Sequence, residues 1–190
     1  PKTKRGSTFL LGPVTGKEAP DDVDISYFAG GYRTPNGIGL GPDNEIIVTD
    51  NQGVFNPSNE FIRLTPEAFY GHYLLKKKNT NTAAFQPENV DSTKGGSRHQ
   101  APPTVHLPQG IVNRSPSQPV MLKGLKGPLS VYNGQWIVGD VTLGRLNRVF
   151  LEEVEGTWQG AVFLHTGGHD PEGKTGLTAG PNRLVEGPDG

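Results

Sequence analysis

The sequence predicts an all-β chain built as a β-propeller, with about half of a six-bladed ring present. Three observations carry this. The 190 residues include 27 glycines and 17 prolines, a composition that breaks helices and favours short strands joined by turns. Apolar residues come in short runs such as Phe9-Leu10-Leu11 and Ile46-Ile47-Val48, which mark a folded β protein rather than a disordered chain. Finally, a strand-turn-strand unit recurs. Asn36-Gly37-Ile38-Gly39-Leu40-Gly41-Pro42-Asp43-Asn44 returns as Asn182-Arg183-Leu184-Val185-Glu186-Gly187-Pro188-Asp189-Gly190, and Asn133 to Asp140 repeats the second half, Asp43 to Asp50. Recurrence about every 50 residues is the signature of four-stranded propeller blades.

Taken in order, Ser7 to Leu11 reads as a strand and Pro13-Val14-Thr15-Gly16 as the turn after it. Lys17 to Asp24 is a polar loop, and Ile25 to Ala29 is the outer strand that closes a blade. The next blade begins with Asn36 to Leu40. Gly41-Pro42-Asp43-Asn44 reverses the chain, because Pro presets φ near −65° while Asn and Gly accept φ > 0. Glu45 to Asp50, Phe61 to Thr65 and Pro102 to Leu107 continue that blade outward. Residues 76–100 open with Lys76-Lys77-Lys78, lack hydrophobic periodicity, and read as a polar insertion. Three adjacent lysines are ordinarily a solvated face. Gln118 to Leu122, Trp136 to Asp140, Leu146 to Leu151 and Ala161 to His165 make the following blade, and Asn182 starts another. The expectation is two full blades and parts of two others, forming one domain over residues 1–190. Gly190 falls in a hairpin turn, so the chain is expected to be a piece of a longer one, completed by further sequence or by a partner chain.

Composition removes several function classes. A net charge of −1 gives no electrostatic case for nucleic acid or an anionic membrane. No apolar stretch approaches the roughly 20 residues that cross a bilayer. With no cysteine, disulfides, thiol catalysis and Cys-ligated metals are excluded within the chain. Nothing resembles a nucleophile elbow or a Gly-rich phosphate loop before a helix.

Polar residues at the ends of inner strands line a propeller's axial channel. Arg33, Asn36, Asp50, Asn51, Gln52, Asp140, Arg145 and Arg183 hold such places. Arg33 and Arg183 near one axis would suit an anionic ligand, which a guanidinium grips in bidentate fashion. Asp50 and Asp140 recur at equivalent positions and read as structural, through salt links and turn hydrogen bonds. The loop from Asp50-Asn51-Gln52-Gly53 through Asn59-Glu60 is oxygen-rich and could hold Ca²⁺, as could Asp21, Asp22 and Asp24. His165 and His169 are split by Gly167-Gly168, so no helix face presents them as a metal pair. His72 reads as structural.

Gly31 to Gly37, Thr49-Asp50-Asn51-Gln52-Gly53 and Phe69-Tyr70-Gly71-His72, with the later Ser115 to Pro119, Val138 to Thr142 and Gly187 to Gly190, occur in an order that resembles the glucose/sorbosone dehydrogenase superfamily of six-bladed propellers. Within it they point to a bacterial branch often joined to c-type haem domains. The resemblance implies an extracytoplasmic, quinone-dependent sugar or aldehyde dehydrogenase, with a non-catalytic subunit of a membrane-associated redox complex as the rival. A sugar-lactone hydrolase of similar fold ranks third. The family's Arg-Asn-x-Gln-Gly motif for pyrroloquinoline quinone is matched at Arg33 and Gly37, with Thr34 for Asn and Asn36 for Gln. Its Ca²⁺ loop corresponds to Gln52-Gly53-Val54, where Val54 replaces Pro. Arg145 lies close to where the family has a basic residue that reaches the quinone, and the catalytic His would precede Pro1.

Overall fold

The computed structural model describes residues 6–17, 19–53, 56–72, 101–166 and 180–188. The described residues are nearly all β, with ten strands in three antiparallel sheets among them, and the chain divides into two compact units, Pro1–Tyr32 with Thr65–Pro102, and Arg33–Leu64 with Pro103–Gly190.

Among its described residues the first unit holds one hairpin, β1 (Ser7–Leu11) against β2 (Ile25–Gly30). A parallel bridge joins Gly30 to Phe69, and the Gly30 and Tyr70 backbones extend it: Gly30 N–H donates to Ala68 and Tyr70 N–H to Gly30. Tyr32 and Tyr70, both buried, stack with ring centroids 5.7 Å apart. The Tyr70 hydroxyl accepts from Thr65 N–H at 3.0 Å and the Tyr32 hydroxyl from Thr8 Oγ1 at 3.3 Å, so each ring buries its apolar body while the polar end stays satisfied.

The second unit contains two complete four-stranded blades. The first runs β3 (Gly37–Leu40), β4 (Ile46–Asp50), β5 (Asn59–Arg63), β6 (Val105–Leu107). The second runs β7 (Pro116–Met121), β8 (Trp136–Asp140), β9 (Arg145–Val154), β10 (Thr157–Thr166). This is the expected arc of a propeller. The expected turn chemistry is met in part: Asn44 takes left-handed backbone, φ 62°, but the second such residue is Asp43, φ 54°, while Gly41 stays at φ −88°.

Alternation along the strands builds the core between the two sheets. Ile47, Phe61, Val105 and Leu107 from the first face Trp136, Val138 and Val149 from the second, with Met121, Leu151 and Val162 at the margin. Phe61 meets Trp136 edge to face at 5.6 Å and 73°. On the inner side the strands come closer than any side chain permits. A Cβ at Gly37 would collide with the Ser117 carbonyl, and one at Gly39 with that of Pro119; glycine there is what lets β3 lie against β7.

Several strand limits differ from expectation. β5 begins at Asn59, two residues before Phe61, because buried Asn59 and Glu60 pair with Leu107 and His106. β9 and β10 each reach ten residues, since they pair with each other past the end of β8. Residues 182–187 form no strand. They have no partner strand among the described residues and are tied to β7 instead, Gln118 N–H to Asn182 and Ser117 Oγ to Pro181. The polar insertion, with its three lysines, and His99 and His169 lie outside the described residues.

Candidate functional site

The site grows from two aspartates that end the second strand of each blade. Asp50 is fully buried, and its carboxylate accepts backbone N–H from Arg33 at 2.7 Å, Thr34 at 2.7 Å and Asn51 at 2.8 Å. Asp140, equally buried, accepts from Arg114 at 2.8 Å, Ser115 at 3.3 Å, Thr142 at 3.0 Å and Leu143 at 3.0 Å. Each therefore fixes the segment that leads into the first strand of its own blade. Arg33 and Arg114 occupy the same structural position in neighbouring blades, and both are exposed.

At the same end, Asn36, Asn182 and Arg183 are joined. Asn36 Nδ2 donates to Asn182 Oδ1 at 3.1 Å and to Pro116 O at 3.5 Å. Arg183 Nη1 reaches Asn36 O at 3.2 Å and Asn182 O and Oδ1 at 2.8 and 3.0 Å. Asn51 Nδ2 bonds Thr34 O at 2.9 Å. The heads of three successive inner segments thus carry Arg33, Arg114 and Arg183 beside a carboxamide cluster.

Gln52 and Gly53 lie on the connection that follows Asp50. Gln52 N–H donates to Asn59 Oδ1 at 2.8 Å and Gly53 N–H to Asn56 O at 3.0 Å. Arg145 is turned inward. It is 6% exposed, its Nη2 donates to Ile111 O at 2.8 Å, and its Nε lies 3.7 Å from Asp140. An asparagine relay backs the site: Asn59 Nδ2 to Asn113 O, Asn113 Nδ2 to Asn147 Oδ1, Asn147 Nδ2 to Val112 O, at 2.8, 2.8 and 3.0 Å.

Opposite Asp50 on β5 stands Glu60, 1% exposed. Burial, and then the Asp50 charge, push its carboxyl up to about 8. Burial also raises Asp50, while the N–H groups of Arg33, Thr34 and Asn51 pull it back. Because Glu60 keeps its proton in the folded state and loses it near 4.5 when unfolded, stability falls as pH rises from about 4.5 to about 8 and levels off above. Glu60→Gln removes that loss. Urea unfolding at pH 5 and pH 8.5 should show the variant gaining stability over wild type only at the higher pH, by an amount on the order of a few kcal/mol. Equal midpoints at pH 8.5 would refute the assignment.

Asp21 and Asp22 sit on an exposed 3-10 turn, Pro20–Asp22, in the first unit. Among the described residues no three His, Asp or Glu side chains converge on a metal, so a cation here would depend on amide and carbonyl oxygens. Oxygens of Gln52 and Gly53 would be donors of the hard kind that Ca²⁺ takes. A groove of about 440 Å³ lies at the other end of the inner strands, lined by Ile38, Leu40, Pro119, Met121, Leu184 and Val185. Gln118, Lys123 and Glu186 share that lining, so the groove is mixed in character, and Arg183 directly precedes its Leu184.

Arg114 was not among the residues the sequence singled out. The signal is the Asp50–Asp140 equivalence, but the Arg-to-Asp separations are 17 and 26 residues, so spacing conceals it.

No protein-family profile matches the chain, and no curated protein sequence matches it. Solved structures do. A glucose dehydrogenase aligns with a TM-score of 0.50 at 18% identity, over 87% of this chain and 47% of its own. An oxidoreductase assigned as a glucose dehydrogenase from Thermus thermophilus aligns with a TM-score of 0.47 at 18% identity, over 75% of this chain and 34% of its own. The PQQ-bound form of an aldose sugar dehydrogenase from Streptomyces coelicolor aligns with a TM-score of 0.43 at 15% identity, over 80% of this chain and 35% of its own. The chain therefore spans between a third and a half of the structures it matches. It shares the propeller fold of the first.

Proposed function

We propose that the protein is a propeller of the quinone-dependent sugar or aldehyde dehydrogenase type, using pyrroloquinoline quinone and Ca²⁺. The observation that carries this reading is the pair Arg33 and Arg114, exposed cations whose backbones are fixed by buried aspartates at matching places. With Arg183 they offer forked donors to the carboxylates of a quinone. Gln52 and Gly53 would hold the cation through oxygen. When bound, the quinone supplies the acceptor for a hydride from the sugar carbon; the residues of this chain bind and orient it. An extracytoplasmic location and a redox partner at a membrane belong to the same reading and rest on the resemblance.

A second reading is favoured by two features. Asn36, standing where the family has its Gln, spends its amide on Asn182 and Pro116, and Arg145 is committed to Asp140 and Ile111. A propeller that keeps the shape and binds a partner without turning over sugar would look like this, since fold alone does not bring activity. Titrating pyrroloquinoline quinone and Ca²⁺ into the complete protein separates the two. The dehydrogenase reading expects a saturable change in quinone absorbance and dye reduction with aldoses. Arg33→Ala should weaken quinone binding more than about tenfold, about 1.4 kcal/mol. No binding at micromolar quinone would eliminate this reading, and binding without dye reduction would favour the second.

A further inference from the structure

The connections after Asp50 and Asp140 begin at equivalent points and are held in opposite ways. In the second blade, residues 141–144 close a tight turn, and the N–H groups of Thr142 and Leu143, two and three places past the aspartate, return to the Asp140 carboxylate. In the first blade the corresponding N–H groups, those of Gln52 and Gly53, go to Asn59 Oδ1 and Asn56 O. The connection has left its own aspartate for a second set of acceptors. Asn56 and Asn59 are both fully buried. Asn56 Nδ2 in turn donates to Glu60 Oε2 at 3.3 Å.

Glu60 is the odd member of this set. Its strand position, opposite the aspartate, is filled in the second blade by Arg145, which faces Asp140 with an opposite charge. The fold therefore does not call for a carboxyl there, and a buried carboxyl beside a buried aspartate is a liability unless it does something else. Its visible task is to hold Asn56, and through Asn56 the Gly53 backbone.

We infer that Asn56, Asn59 and Glu60 form a clamp that positions Gln52 and Gly53 for a divalent cation, with Glu60 as a positioning residue acting through Asn56. The cation half of this inference rests on the function proposed above; the clamp itself rests on the hydrogen bonds. A clamp made of carboxamides and one carboxyl can set the loop without supplying a ligand, which accords with a cation held by backbone and amide oxygen.

The test uses the complete protein and two readouts, amide hydrogen exchange at Gln52 and Gly53 without added metal, and calorimetric titration with Ca²⁺ alone. Glu60→Met keeps approximate volume and removes the acceptor, Asn56→Ala removes the link, and Glu60→Gln retains an acceptor oxygen. Protected amides on β8 report that each variant is folded, and if Glu60→Met does not fold, Asn56→Ala carries the test. Glu60→Met and Asn56→Ala should each speed exchange at Gly53 at least tenfold and weaken Ca²⁺ by a similar factor, while Glu60→Gln leaves both within about threefold of wild type. Wild-type Ca²⁺ affinity in Glu60→Met and Asn56→Ala would overturn the inference and leave the proposed function standing. A Glu60→Gln variant as impaired as Glu60→Met would overturn it as well, since charge rather than position would then be in use. A wild-type protein that ignores Ca²⁺ while Gly53 exchange still responds would overturn the cation reading, and with it the clamp's assigned purpose.

Discussion

Asp140→Ala should destabilise the protein by about 3–5 kcal/mol, the scale on which removing one partner of a buried ion pair is felt. The substitution strands the N–H groups of Arg114, Ser115, Thr142 and Leu143. It also leaves the Arg145 guanidinium, 6% exposed, without the carboxylate 3.7 Å from its Nε. A stranded donor costs about 1–3 kcal/mol only where water cannot reach it. Arg114 and Thr142 are exposed and Ser115 and Leu143 half-buried, so water takes over these N–H groups and the loss stays within the range set by the ion pair. Against a typical total of about 5–15 kcal/mol, this is a large share. Asp50→Ala makes an informative comparison. It also strands N–H groups, three of them, but relieves Glu60 of a like charge, and should cost less. Urea unfolding of both variants near pH 7 checks the order. Asp140→Ala costing under about 1 kcal/mol, or less than Asp50→Ala, would mean the carboxylate is not the organising group described.

Trp136→Ala should cost about 3–5 kcal/mol, as large-to-small changes of a buried aromatic do. Trp136 is 2% exposed at the centre of the inter-sheet core, with Phe61 edge-on to its ring. The cavity cannot collapse easily, because its walls are strand residues whose backbones are committed to ladders on both sides, Ile47 in β4 and Val149 in β9. Trp136→Phe keeps most of the buried ring and should lose under half as much, which keeps the prediction testable if the alanine variant fails to fold. Thermal unfolding gives the ranking. A Trp136→Ala protein that melts within a degree or two of wild type would show that the two sheets do not depend on this contact.

Both expectations bear on the site. Arg33 and Arg114 hold their places because Asp50 and Asp140 bind their backbones, and those aspartates hold theirs because β4 and β8 are anchored in the core by Ile47, Trp136 and Val138. Loss of Asp140 should release Arg114 before it releases Arg33.

The hairpin from Asn36 to Asp50 was legible to within one residue at the start of each strand. Gly-Pro-Asp-Asn specifies a reversal, the flanking aliphatics specify strands, and left-handed backbone at Asp43 and Asn44 is what those residue types tolerate. Trp136 to Asp140 was legible for the same reason: five residues of a central strand, buried throughout, write their environment into composition. The start of β5 was not. Asn59 and Glu60 are polar, and a local pattern reads polar residues as loop, although here they are buried by partners far along the chain. The equivalence of Arg33 and Arg114 was hidden by the connection between β7 and β8, residues 122–135, which is nine residues longer than that between β3 and β4, residues 41–45. That excess is the whole difference between the two Arg-to-Asp separations.

From sequence alone, then, come the strand-rich class, the recurrence of the blade, the reversal at 41–44 and, of the arginines at the heads of inner segments, Arg33 and Arg183 but not Arg114, because turn chemistry and alternation act between near neighbours in the chain. Only the tertiary structure decides which of those arginines face outward, that Arg145 is consumed by Asp140, and that Glu60 lies buried beside Asp50. Those outcomes depend on which strand lies opposite which, and on what water is excluded when two sheets close. Neither is encoded within any short stretch of residues.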